Sequence, residues 1–266
     1  MVPEQKVEMS FLDHLESMRW HIIRSLGVTV AITIIVFLMK QFVFEKIVFA
    51  PKNIDFITYK TLCLLSEKLH LGAALCITKI GFSVINIDMA GQFLLHLKVS
   101  FMLGLVIAFP YVLWETWRFI KPALHEKEIK TTRGIIFFSS LLFFIGVSFG
   151  YYILTPFSIN FLGSYSIADE IVNTISLNSY IAMLIMLVLV SGLIFELPIM
   201  IYFLAKLGLI TDAFMKQYRK HAFVVILVVA AILTPPDVTS QVLIAMPLYF
   251  LYEVGILIAK KVYPKV

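Results

Sequence analysis

The stretch Gly134–Leu154, GIIFFSSLLFFIGVSFGYYIL, holds 21 residues and no Asp, Glu, Lys, Arg or His. As a helix rising about 1.5 Å per residue it is roughly 30 Å long, which matches the hydrocarbon core of a bilayer. It reads as a transmembrane helix, and the whole chain has the composition to go with it. Of 266 residues, 60% are hydrophobic and 15% charged, and the mean hydropathy is +0.93. A soluble domain is nearer half apolar and about a quarter charged. Soluble enzymes, secreted disulfide scaffolds, disordered proteins and stand-alone nucleic-acid binders are therefore excluded as classes. The net charge of +5 and pI of 9.1 carry no functional weight, because Lys and Arg in a membrane protein mostly record topology.

Working outward from this span, five more emerge. Ser25–Phe44 precedes it, interrupted only by Lys40, whose long side chain can snorkel to the interface. Phe93–Trp117 follows, uncharged from Val99 to Trp114. After Gly134–Leu154 come Ser179–Ala205, which carries Glu196, then His221–Leu233, and Val242–Ala259 with Pro247 and Glu253. Basic residues fall in alternate connections: Lys6, Arg19 and Arg24 before the first span, Arg118 to Arg133 after the second, Lys206 to Lys220 after the fourth, and Lys260, Lys261 and Lys265 at the end. The segments 155–178 and 234–241 contain no Lys or Arg. This alternation predicts an all-α integral membrane protein with six transmembrane helices and both termini in the cytoplasm. Residues 1–266 read as one polytopic membrane domain with spans at about 25–44, 93–117, 134–154, 179–205, 221–233 and 242–259. The first span is longer than an apolar signal core, and no small-residue cleavage site follows it.

The fifth span has only 13 residues, about 20 Å of helix, and Thr234-Pro235-Pro236-Asp237 stops it at once. The fifth and sixth spans are thus expected to be a short hairpin whose tip is drawn into the membrane. Such a hairpin thins the adjacent bilayer or recruits partners to cover the mismatch.

The external loop, 45–91, contains one ambiguous run, 71–87, apolar except for Lys79 and a few small polar residues. A seventh span here would put the basic loops on the wrong side and bury Lys79, so a folded part of the loop is expected. Cys63 and Cys76 both lie in this loop. They either pair as a disulfide in an oxidising compartment or remain two small buried thiols. With His70 alone nearby, they make poor metal-ligand spacing, and neither a metal nor another cofactor is expected.

No HExxH, no Walker loop and no dinucleotide fingerprint is present. The chain is not expected to be an enzyme. Histidines 14, 21, 70, 96, 125 and 221 are scattered and read as mainly interfacial, and His96 and Lys98 as snorkelling residues. What remains is a few polar residues in costly places. Glu196 lies ten residues, about 15 Å, inside the end of the fourth span, and Pro198 frees a carbonyl beside it. Near the membrane, Ser10–Arg19 places Phe11, Leu15 and Met18 on one face of an amphipathic helix, with Asp13 and Glu16 on the other. The run Trp117–Glu128 sets carboxylates among Lys and Arg. These carboxylates are either ordinary solvated loop charges or acceptors for the guanidinium groups of a basic peptide.

Several motifs, taken in order, resemble one family. They are Phe11-Leu12-Asp13-His14-Leu15 with Arg19, Phe49-Ala50-Pro51, Phe109-Pro110, and Trp117 to Leu124 followed by Glu128. Phe195-Glu196-Leu197-Pro198 and Leu233 to Val238 with Ser240-Gln241 complete the set. From Ser10 to Lys261 the chain resembles TatC, the large membrane component of the twin-arginine protein translocase.

The resemblance implies a receptor for paired-arginine signal peptides. With single-span TatA/TatB-type partners, it would export folded proteins across a bacterial inner membrane using the proton-motive force. The binding residues it implies are Glu16, Ser17, Arg19, Phe119, Pro122 and Glu128. Ser17 stands where the family pattern His-Leu-x-Glu-Leu-Arg has its Glu. Glu16 or Asp13 would then replace that carboxylate, or recognition leans on Glu128. Glu196 and Pro198 are implied to face a partner helix, and Pro51, Pro236, Asp237 and Gln241 to shape the external side. Self-association in a receptor complex and contact with the lipid bilayer are further expectations. The rival reading is a proton-coupled small-solute transporter with Glu196 as its proton site, which would tolerate loss of the loop carboxylate Glu128.

Overall fold

The computed structural model describes residues 11–68, 70, 76–77, 81–120, 132–168, 173–233 and 238–262. They are almost entirely helical. In chain order the helices are α1 (Phe11–Leu38), α2 (Ile57–Lys68), α3 (Gly91–Ile120), α4 (Thr132–Phe149) and α5 (Thr155–Ser164). There follow α6 (Leu177–Phe195), α7 (Leu197–Lys206), α8 (Asp212–Gln217), α9 (Arg219–Leu233) and α10 (Val238–Val262). Two three-residue strands, β1 (Ser83–Ile85) and β2 (Thr174–Ser176), pair in parallel with Val84 opposite Ile175.

This is an all-α membrane-spanning protein. Five described stretches are long and apolar enough to cross a bilayer: Glu16–Leu38, Gly91–Phe119, Gly134–Ser164, Leu177–Lys206 and Gln241–Val262. Two differences from the sequence reading stand out, and one expectation is met. The amphipathic segment at the start is not a separate helix, because no breaker separates Arg19 from Ser25 and α1 runs unbroken from Phe11. Of the last two spans only the fifth is short: α9 has 15 residues, about 22 Å. The sixth, α10, has 25 and passes through Pro247 without ending. In the ambiguous run 71–87, the described part includes extended strand, not helix.

The chain divides into two compact units. The first joins Met1–Leu38 to Ser100–Ser140. Its α1 carries a polar stripe, His21, Ser25, Thr29 and Thr33, at four-residue spacing. Each hydroxyl donates to the carbonyl four residues back, at 2.8–2.9 Å, so the three hydroxyls are satisfied within the helix. Small side chains there allow close approach: a Cβ on Gly104 of α3 would lie 3.1 Å from the Thr33 backbone.

The second unit joins Met39–Val99 to Leu141–Val266. Its core gathers Leu154, Leu187, Ile226, Ala230, Ile244 and Leu248. Gly146-x-x-x-Gly150 lets α4 and the π-helical turn Gly150–Leu154 meet α6 at backbone distance. A Cβ on Gly146 would lie 2.6 Å from the Ser191 carbonyl, and one on Gly150 2.7 Å from that of Leu187. Ser176 caps α6 by accepting from the Ser179 N–H at 3.2 Å.

Pro51 ends the π-helical turn Val43–Val48, and three tyrosines repair the damage. Proline has no N–H for the Ile47 carbonyl, and the Lys52 N–H turns to Phe49. Tyr151 donates to the Ile47 carbonyl at 2.8 Å, Tyr180 to Val48 at 2.8 Å, and Tyr59 to Pro51 at 2.9 Å. Burial pushes the Tyr59 hydroxyl well above the ordinary phenol range, so it stays a donor.

Candidate functional site

Within the first unit, the N-terminal half of α1 and the last turns of α3 share a buried carboxylate. Glu115, only 1% exposed, accepts from the His21 ring through its Oε2. Its Oε1 accepts from the Tyr111 hydroxyl at 3.1 Å and faces Arg118 at 3.4 Å. The Arg118 guanidinium also lies 5.2 Å from the Trp114 ring centre. His21 meets Phe119 edge to face, with ring centres 6.1 Å apart. Helix geometry accounts for the match: Thr33 to His21 on α1 is about 18 Å, and Gly104 to Glu115 on α3 about 16.5 Å. The close approach at Gly104 and the ion pair at Glu115 are thus two ends of one antiparallel contact.

This cluster was missed in the sequence because the uncharged part of the second span was read as ending at Trp114. A carboxylate inside an apolar helix is the signal that singled out Glu196, and it applies equally to Glu115. His21 is correspondingly a half-buried partner of that carboxylate. His96 is likewise no snorkelling residue: it is 8% exposed and packs edge-on to Phe44, ring centres 5.6 Å apart. Lys98 is exposed.

The expected peptide-binding residues fall around this cluster as far as they are described. Glu16 and Arg19 are exposed on α1 and Ser17 is half-buried between them. Phe119 is brought to α1 through His21. Pro122 and Glu128 lie outside the described residues, as do Pro236 and Asp237, and the side chain of Asp13 is not described.

In the second unit, Glu196 forms the joint between α6 and α7, with φ −74° and ψ −8°. Pro198 is buried at the second position of α7. Its missing N–H breaks the ladder, and the chain restarts with the N–H groups of Ile199 and Met200, each 3.0 Å from the Glu196 carbonyl. Glu253 on α10 pairs with Arg219 at the start of α9 at 2.6 Å. Gln241 donates to the Leu227 carbonyl at 3.1 Å, tying α10 to α9. Cys63 and Cys76 are joined by a disulfide, Cα atoms 4.4 Å apart.

A family model for the Sec-independent protein translocase protein (TatC) matches residues 13–247. The chain belongs to the TatC family. It is 38% identical over 256 residues to TatC of Blattabacterium sp. subsp. Periplaneta americana (strain BPLAN), covering 96% of each chain. It is 48% identical over 167 residues to TatC of Helicobacter pylori (strain ATCC 700392 / 26695), which covers 63% of this chain and 66% of that one. Among solved structures it resembles a crystal structure of the twin arginine translocase receptor TatC. There the TM-score is 0.67 and the identity 30%, over 94% of this chain and 99% of the other. As a TatC, the chain is a multi-pass membrane protein of a protein-translocation system.

Proposed function

We propose that the chain is the signal-peptide receptor and core subunit of a twin-arginine translocase. It sits as one polytopic domain in a bacterial inner membrane with both termini in the cytoplasm. Paired-arginine signal peptides dock on its cytoplasmic face. The guanidinium pair is met by Glu128 and by Glu16, with Phe119 and Pro122 shaping the site. Single-span TatA/TatB-type partners meet the intramembrane joint at Glu196 and Pro198, and folded cargo crosses at the expense of the proton-motive force.

The observation that carries this reading is the pair formed by buried Glu115 and half-buried His21. It joins α1, which bears Glu16 and Arg19, to the end of α3, which bears Phe119. An arginine pair needs carboxylates held at fixed separation on a partly desolvated surface. Joining the two helix ends supports a fixed place for Glu16 beside Phe119, and Glu115 cannot be the acceptor itself because its oxygens already face three donors.

The test is binding of a twin-arginine signal peptide to the detergent-purified protein, with a twin-lysine peptide as control. Binding is expected to fall with Glu128→Ala and with the lysine peptide, since a point-charge ammonium cannot replace a bidentate guanidinium. Glu16→Ala and Ser17→Glu decide which N-terminal position matters. Equal weak binding of both peptides to the wild type overturns the receptor reading.

A further inference from the structure

We propose that the second unit carries a binding site for the phosphate headgroup of an anionic phospholipid. A cavity of about 870 Å³ opens between the chain that follows α1, the strand β1 and the first turns of α3. Its basic lining is Lys40, Lys52 and His96, and none of its described lining residues is acidic. Neither lysine makes an ion pair among the described residues; Lys52 only leans over the Phe82 ring, 5.6 Å from its centre. Asn53 and Gln92 add amide donors to the same wall. Two uncompensated ammonium groups and two amides match the non-bridging oxygens of a phosphodiester.

The rest of the lining selects a lipid over a free phosphate. Phe44, Phe49 and Phe93 provide aromatic walls. Phe93 is 59% exposed and Leu94, beside it, 60% exposed. On a membrane-spanning helix such surfaces face acyl chains. Gln92, Phe93 and His96 occupy the first two turns of α3, and Lys40 directly follows the apolar run of the first span. The cavity is therefore at the level where a bilayer holds its phosphates and where basic pockets take lipid headgroups. A headgroup there would bridge the post-α1 segment, β1 and α3, all of which contribute lining residues.

The test is native mass spectrometry of the full chain in a neutral detergent, titrated with phosphatidylglycerol, with phosphatidylcholine, and with glycerol phosphate as competitor. Phosphatidylglycerol is expected to bind at least tenfold more tightly than phosphatidylcholine. Lys40→Gln and Lys52→Gln should each weaken it about fivefold, and the double variant roughly 25-fold, at about one surface-lysine contribution apiece. Lys46→Gln, exposed on the turn Val43–Val48 between the two lysines but outside the cavity, should change nothing. The single variants keep the test valid if the double variant does not fold. Wild-type affinity in the variants, or equal binding of phosphatidylcholine, overturns the proposal. Full competition by glycerol phosphate also overturns it, since the site would then take soluble phosphate.

Discussion

Deleting Glu115 should loosen the end of the first unit and weaken peptide binding at the same time. The carboxylate is 1% exposed and the His21 side chain 15%, so the contact is shielded from the screening that makes surface pairs worth about 0–1 kcal/mol. Removing one member of a buried pair leaves the other side uncompensated, at about 3–5 kcal/mol. Arg118 is 46% exposed and can turn to water once its partner is gone, which places Glu115→Ala near 3 kcal/mol. His21→Ala should cost less, because Tyr111 and Arg118 still face the carboxylate.

The decisive quantity is the coupling, read from thermal unfolding of wild type, His21→Ala, Glu115→Ala and the double variant in one detergent. A charge-assisted hydrogen bond predicts about 1.5–3 kcal/mol of coupling. Additive losses, with coupling near zero, would refute the argument that this pair joins α1 to α3. The functional readout separates positioning from mere stability. Below the melting transition, Glu115→Ala should weaken twin-arginine peptide binding, and Glu115→Gln, which keeps the shape and an acceptor, should restore part of it.

Three further outcomes follow from the second unit. Gly146→Ala forces a methyl against the Ser191 carbonyl and the Gly192 Cα, so α4 and α6 must separate. A loss of about 1–3 kcal/mol or more is expected in the same unfolding assay, while Gly134→Ala, with open space around it, should be neutral. Tyr180→Phe strands the Val48 carbonyl, and both residues are buried; it should cost about 1–3 kcal/mol. The Cys63–Cys76 bridge, at a sequence separation of 13, should contribute about 3 kcal/mol. Reductant should lower the melting temperature of the wild type and leave Cys63→Ser unaffected.

The spans were legible because a bilayer imposes its thickness on sequence. An uncharged run such as Gly134–Leu154 has few other uses. Local rules also placed the bend at Glu196-Leu197-Pro198, since a missing N–H acts on its own helix. Pairings between distant residues were not legible. The tyrosines that meet the carbonyls of Ile47, Val48 and Pro51 come from residues 59, 151 and 180, and no periodicity links them. The length of α10 was underestimated because the shortness of the fifth span was extended to its neighbour, although the expected sixth span already ran through Pro247. In a bundle the freed backbone groups find other partners, and the helix continues.

The two carboxylate classes near the proposed peptide site divide by what already occupies their oxygens. Glu115 is acidic, central and close to α1, yet its acceptors face His21, Tyr111 and Arg118. Recruiting it to a peptide would require breaking that set in a site that water barely reaches, and the guanidinium would have to replace every bond it displaced. Glu16 is exposed and has no such debt. Ser17, half-buried beside it, sits about 100° away round the helix, so a carboxylate at 17 would point toward the packed side and one at 16 toward solvent. On that geometry a chain with Glu at 16 should accept an incoming peptide more readily but hold it less rigidly. Ser17→Glu in the wild-type background should then slow peptide dissociation more than it speeds association. A change confined to the association rate would show that long-range attraction, not placement, is what the displaced carboxylate supplies.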